Sequence, residues 1–238
     1  MGNRYPAPPV VWPVMLQRWH EISFFHWSCD PALLQPRLPP GLQLDTFDAK
    51  AWISLTPFLL TGLRPPLFPH ALGLVFPEMN VRTYVVGPKG PGIWFFSLDV
   101  ARSIAVLGAR AIYRLPYYWA KMRVEIAAEE NFYFSDRGRG GGAKATIRIG
   151  KEGTIAEQSP LDIFLTARFR LYSTFRGRLI TAEVSHPPWQ LNRLRVVDFE
   201  ENVRKVMRVE FPSQDFLAHH SEGVDTKIGR PRRASAQK

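Results

Sequence analysis

Twenty-one prolines punctuate this chain, and the stretches between them are rich in aromatic side chains, 13% of all residues. Proline removes a backbone donor and is confined to strand ends and edges, whereas aromatic and β-branched residues suit a pleated surface, so the pattern reads as β structure. At 238 residues the chain can bury one sizeable core. Residues 1–16 read as a proline-rich N-terminal arm, 17–220 as a single folded domain, and 221–238 as a basic flexible tail with almost no large apolar residue to bury.

Within the body, residues 19–28 alternate as a strand, and Asp30-Pro31 opens a short helix through Leu34 by supplying a capping oxygen and a preset φ. Strands are expected over 42–47, 51–60, 78–86, 93–98, 117–127, 131–135 and 143–149, with a hairpin around Gly177. Asp99 is placed to N-cap a helix running to about Tyr113, with Ile104, Leu107 and Ala111 on one face, and Ser159-Pro160 opens another short helix. Many short strands with two or three short helices imply a mainly β (α+β) fold, a largely antiparallel barrel or sandwich.

Several function classes fall away. The single cysteine, Cys29, permits no intramolecular disulfide and no Cys-based zinc site, which favours a cytoplasmic address. No apolar stretch is long enough for a membrane helix. The six histidines form no HExxH motif or ligand spacing, no dinucleotide fingerprint or Gly-x-Ser-x-Gly elbow is present, and so neither a metal nor a cofactor is expected. The formal charge of +10 draws five of its charges from Lys227, Arg230, Arg232, Arg233 and Lys238, so it argues for a basic tail rather than a nucleic-acid surface. A homo-oligomer is compatible with the chain.

The most informative segment is Phe76-Pro77-Glu78-Met79-Asn80-Val81-Arg82-Thr83-Tyr84. Period-two alternation puts Glu78, Asn80, Arg82 and Tyr84 on one face and Met79, Val81 and Thr83 on the other. The polar face is either solvated, with Glu78 and Arg82 merely paired, or turned into a barrel lumen where it could bind a carboxylate or carbonyl ligand.

Together with Gln17-Arg18-Trp19, His26-Trp27, Leu38-Pro39-Pro40-Gly41-Leu42-Gln43-Leu44-Asp45, Phe96-Ser97-Leu98-Asp99 and Leu115-Pro116-Tyr117-Tyr118-Trp119-Ala120-Lys121-Met122, that segment resembles the YqjF-like bacterial family of unknown function. That family in turn resembles acetoacetate decarboxylase. The resemblance implies an acetoacetate-decarboxylase-like antiparallel β-barrel or sandwich with an internal cavity. It places Glu78 where the decarboxylase has a pocket glutamate, and puts Tyr117 and Tyr118 where that enzyme has two lysines, so the imine-forming amine is missing.

Two functions remain open on these grounds. One is a binding protein for a small organic acid or carbonyl compound. The other is a lyase or related enzyme on keto or carboxylic acids, with Glu78 as acid/base and Tyr117 or Arg82 steadying an oxyanion. Asn80, Tyr84, Trp119 and Lys121 complete the candidate ligand-binding set. Lys121 shares strand parity with Tyr117, but four residues span about 13 Å, about twice the reach of a lysine side chain, so it is not expected to replace the missing amine.

Overall fold

The structure, a computed structural model, describes residues 9–101, 113–138, 142–209 and 215–235. Its strands are β1 (Met15–Cys29), β2 (Gln43–Leu44), β3 (Ala51–Arg64), β4 (Leu74–Gly87), β5 (Gly90–Val100), β6 (Tyr117–Trp119), β7 (Lys121–Ile126), β8 (Glu130–Asp136), β9 (Lys144–Thr154), β10 (Arg170–Phe175), β11 (Arg178–Ser185), β12 (Asn192–Glu201), β13 (Leu217–Ile228) and β14 (Arg232–Arg233). Two short α-helices accompany them among the described residues, α1 (Pro31–Leu34) and α2 (Pro160–Thr166). The Asp30 side chain accepts from the Ala32 amide at 2.8 Å, and Ser159 with Asp162 forms a reciprocal capping box, so both helices begin where their sequences place a cap and a proline.

Strands β13, β1, β3, β4, β5, β10 and β11 follow one another in the sheet, and β11 pairs back onto β13 through Val184 with Ile228 and Ser185 with Lys227. That pairing closes a barrel. Its pairings are antiparallel except for β10, which runs parallel to β5. From β13 the sheet also continues through β12, β9, β8 and β7, which cover one outer face of the barrel. The main core lies between these two layers and is built from Phe25, Trp27, Ile53, Leu55, Met79 and Val81 of the barrel against Tyr133, Ile147 and Ile149 of the cover. Strand β4 therefore has two buried faces: its odd residues Met79 and Val81 enter this core, and its even residues look into the barrel.

Several expectations need correction. Asp99 lies inside β5 rather than capping a helix; its carboxylate accepts from Ser135 Oγ at 2.8 Å and from Arg137 Nε at 2.7 Å, binding the barrel wall to the cover. The helix expected beyond it, over Ile104, Leu107 and Ala111, lies outside the described residues. The expected strand over 117–127 is two strands, because at Ala120 the chain leaves β5 as partner and turns to β8.

The flexible-tail expectation fails most clearly. Residues 221–228 belong to β13, which pairs with β1 along Met15 to His26, so both the arm boundary at 16 and the tail boundary at 220 fall inside paired strands. The reason is that β13 is polar yet buried. Ser221, Val224 and Thr226 are buried, and just before them His220 stands 3.1 Å from Glu21, which accepts from Asn131 at 2.7 Å and pairs with Lys151 at 2.9 Å. Gly223 has φ +118, and a Cβ there would lie 1.9 Å from the Trp19 carbonyl oxygen, so only glycine permits this approach of β13 to β1. Arg232 and Arg233 form the short edge strand β14 on β11.

Candidate functional site

The barrel encloses a cavity of about 480 Å³. Its floor is the inward face of β4, where Leu74, Phe76, Glu78, Asn80 and Arg82 follow each other at every second residue. Strand β3 adds Phe58, Leu60 and Leu63, strand β5 adds Ile93, Phe95 and Leu98, and β1 adds Met15, Gln17, Trp19 and Ile22. Tyr117 of β6 enters beside Leu98, to which it is registered, and thereby faces the same space as Glu78.

Glu78, Asn80 and Arg82 are 5%, 4% and 7% exposed, so the polar row is withdrawn from bulk water. Asn80 Oδ1 accepts the Thr56 hydroxyl, and the Asn80 side chain is also hydrogen-bonded to Glu78. Burial, reinforced by the nearby Asp99 carboxylate, pushes the Glu78 carboxyl up to about 8 against the hydrogen bond from Asn80. At neutral pH it is therefore mostly a neutral proton donor. Burial also holds the Tyr117 phenol well above its ordinary value, so it too stays protonated.

Arg82 is the unusual member. Its guanidinium lies beside the Tyr84 hydroxyl and 5.5 Å from the centre of the Phe24 ring. Among the described residues no carboxylate pairs with it, and its Nε has no hydrogen-bond partner. The other two arginines at this end are paired: Arg168 with Asp45 at 2.5 Å and Arg170 with Glu183 at 3.5 Å. A buried cation without an anion is costly in a protein and cheap once an anionic ligand arrives.

Of the residues expected at the site, Glu78, Asn80, Arg82 and Tyr117 come together on the cavity wall and three others do not. Tyr84 shares their parity but lies beyond the cavity's end, packed on Phe164, with its hydroxyl donating to the Leu165 carbonyl at 2.9 Å and standing 3.1 Å from His26 Nδ1. Trp119 is 56% exposed, and Lys121 is exposed on β7. The break at Ala120 resets the alternation, so parity with Tyr117 does not carry to Lys121. No lysine lines the cavity among the described residues. Arg168, Arg170, Tyr113, Gln17 and Arg64 also line it and were not singled out from the sequence. The shared parity of Arg168 and Arg170 is a signal, but only the closure of β10 beside β5 shows which way they face.

Residues 16–225 match the model of the DUF2071 family, described as an uncharacterized conserved protein (COG2071). The chain is 38% identical over 222 residues to the uncharacterized protein YqjF of Bacillus subtilis (strain 168), covering 92% of this chain and 91% of that protein. Among solved structures, the enduracididine biosynthesis enzyme MppR complexed with pyruvate is similar with a TM-score of 0.65 at 13% identity, over 99% of both chains. Acetoacetate decarboxylase from Legionella pneumophila is similar with a TM-score of 0.65 at 14% identity, over 98% of this chain and 90% of that one. These two likenesses establish an acetoacetate-decarboxylase-like fold and, at such low identity, the fold alone.

Proposed function

The chain belongs to the DUF2071 family of uncharacterized conserved proteins, and on that footing we propose that its barrel cavity binds a small organic acid or carbonyl compound without forming an imine. The observation that carries the reading is Arg82, a guanidinium buried on the cavity wall with no carboxylate partner among the described residues. A ligand carboxylate would complete it with charge-assisted hydrogen bonds. The neutral carboxyl of Glu78 adds a donor for a second oxygen without repelling the anion. MppR, a fold neighbour, is described in complex with pyruvate, which is the class of ligand such a barrel can enclose.

The test is Arg82→Met. Carboxylate binding, measured by calorimetry, should weaken about 100-fold, the scale of losing one side of a buried charge pair. The unliganded variant should be as stable as the parent or more so, because the buried charge it removes had no counter-ion. Equal affinity for carboxylates in both proteins would sink the reading.

A second reading, catalysis, is favoured by the position of Tyr117 beside Glu78. The protonated Glu78 can donate to a ligand carbonyl oxygen, and Arg82 can hold the developing oxyanion. Neither reading includes a Schiff base. Incubation with acetoacetate and borohydride should leave the protein mass unchanged, and a stoichiometric adduct on Lys121 or any other lysine would overturn that part.

A further inference from the structure

The cavity is divided along its length. On β4 the inward row changes from Arg82, Asn80 and Glu78 to Phe76 and Leu74, and β3 matches the apolar half: Leu60 is registered with Phe76 and Leu63 with Leu74. Trp19, registered with Leu60 from β1, continues the same apolar wall. From Glu78 to Leu74 is four residues of strand, about 13 Å. This track leads to Arg64 and Gln17, which the cavity shares with an adjoining polar recess that also holds Arg18, His70 and Lys227.

We infer that the ligand is an amphipathic acid, a medium-chain aliphatic or arylalkyl carboxylate, whose head lies between Arg82 and Glu78 and whose apolar tail runs on from Glu78 along Phe76, Leu60, Leu63 and Leu74. This rests on the reading of Arg82 as a carboxylate site and adds the substrate class. An acid of three or four carbons would satisfy the polar end and leave the apolar track empty. Apolar walls hold water poorly, because a bound water needs two to four polar partners and this stretch offers none between Glu78 and Arg64 on β3 and β4. A tail that fills the track gains the transfer of each methylene out of water. Arg64 and Lys227, with Arg18 held by Asp225 of the same recess, leave an excess of positive charge that would draw an anion in, and the seated tail would then lie between that recess and the head.

The experiment is calorimetric titration of the full chain at pH 7 with a series of straight-chain acids, from acetate and butanoate through octanoate and decanoate, with octanol as a neutral control. Affinity should rise about 4-fold per methylene, the equivalent of about 0.8 kcal/mol, giving about 200-fold between butanoate and octanoate. Leu74→Trp should fill the tail track and remove the chain-length dependence, so that octanoate and butanoate bind this variant alike, while an unchanged melting curve reports an intact fold; undiminished octanoate binding by the variant would overturn the inference. Flat affinity across the series, with the short acids still dependent on Arg82, would overturn the inference and leave the carboxylate reading standing. Octanol binding as tightly as octanoate would sink the carboxylate reading and keep the apolar track. Binding of no acid at any length would remove both.

Discussion

Replacing Glu78 with glutamine should abolish a steep loss of stability on the alkaline side. In the unfolded chain this carboxyl titrates near 4.5, and in the fold near 8. Between those values the folded state holds a proton that the unfolded state has released, so the free energy of unfolding falls as pH rises. The fold is unaffected by this group below pH 4.5 and has lost the whole contribution above pH 8. The difference of 3.5 pH units (8 minus 4.5) corresponds to about 5 kcal/mol. Glutamine keeps a hydrogen-bonding group of the same shape beside Asn80 and cannot ionise. Urea unfolding between pH 5 and 9 should therefore show the parent falling relative to Glu78→Gln by about 4 kcal/mol, the rest being lost below pH 5. Parallel profiles for the two proteins would show that Glu78 is solvated. Carboxylate affinity of the folded protein should fall only as pH rises through about 8, where Glu78 ionises and would repel an anion held at Arg82.

Asp99→Ala should destabilise the protein by about 3–5 kcal/mol, the cost of leaving a buried arginine without its partner. Asp99 is 1% exposed and Arg137 9%, and burial pushes the Asp99 carboxyl up from its ordinary range even with the guanidinium beside it. The pair is therefore costly to form and more costly to break. At this chain length the loss corresponds to about 10 °C in melting temperature. The double replacement Asp99→Leu with Arg137→Leu should recover most of it, since no charge is then stranded. A loss under about 1 kcal/mol in the single variant would mean that water reaches Arg137. The consequence extends to the site, because Asp99 fixes β5, whose Leu98 holds Tyr117 in register.

Local chemistry was legible wherever the chain carries its own instruction. The caps Asp30 and Ser159 each precede a proline, and both helices start there. The turn at Arg176-Gly177 has φ 49 and 72, the paired positive values of a two-residue hairpin, and β10 and β11 flank it as the sequence implied. The alternation from Glu78 to Arg82 was equally plain, because side chains on a continuous strand must point to opposite faces. Where the strand was not continuous the same rule misled: Lys121 lost its phase at Ala120, and Tyr84 kept its phase but passed the end of the cavity.

The sequence by itself determined that the chain is β-rich and which residues of β4 share a face. Those are properties of φ, ψ and neighbouring residues. Only the tertiary structure decided what that face looks at. The polar row is a lumen wall because β7, β8, β9 and β12 cover the apolar side of β1, β3 and β4, and because β11 closes on β13. Both events join residues far apart in the chain, and no local pattern encodes them. For the same reason the half of β13 from Ser221 onward read as a tail: its pairing partner β1 lies far upstream in the sequence, and burial of Ser221, Val224 and Thr226 depends on that strand being brought to it.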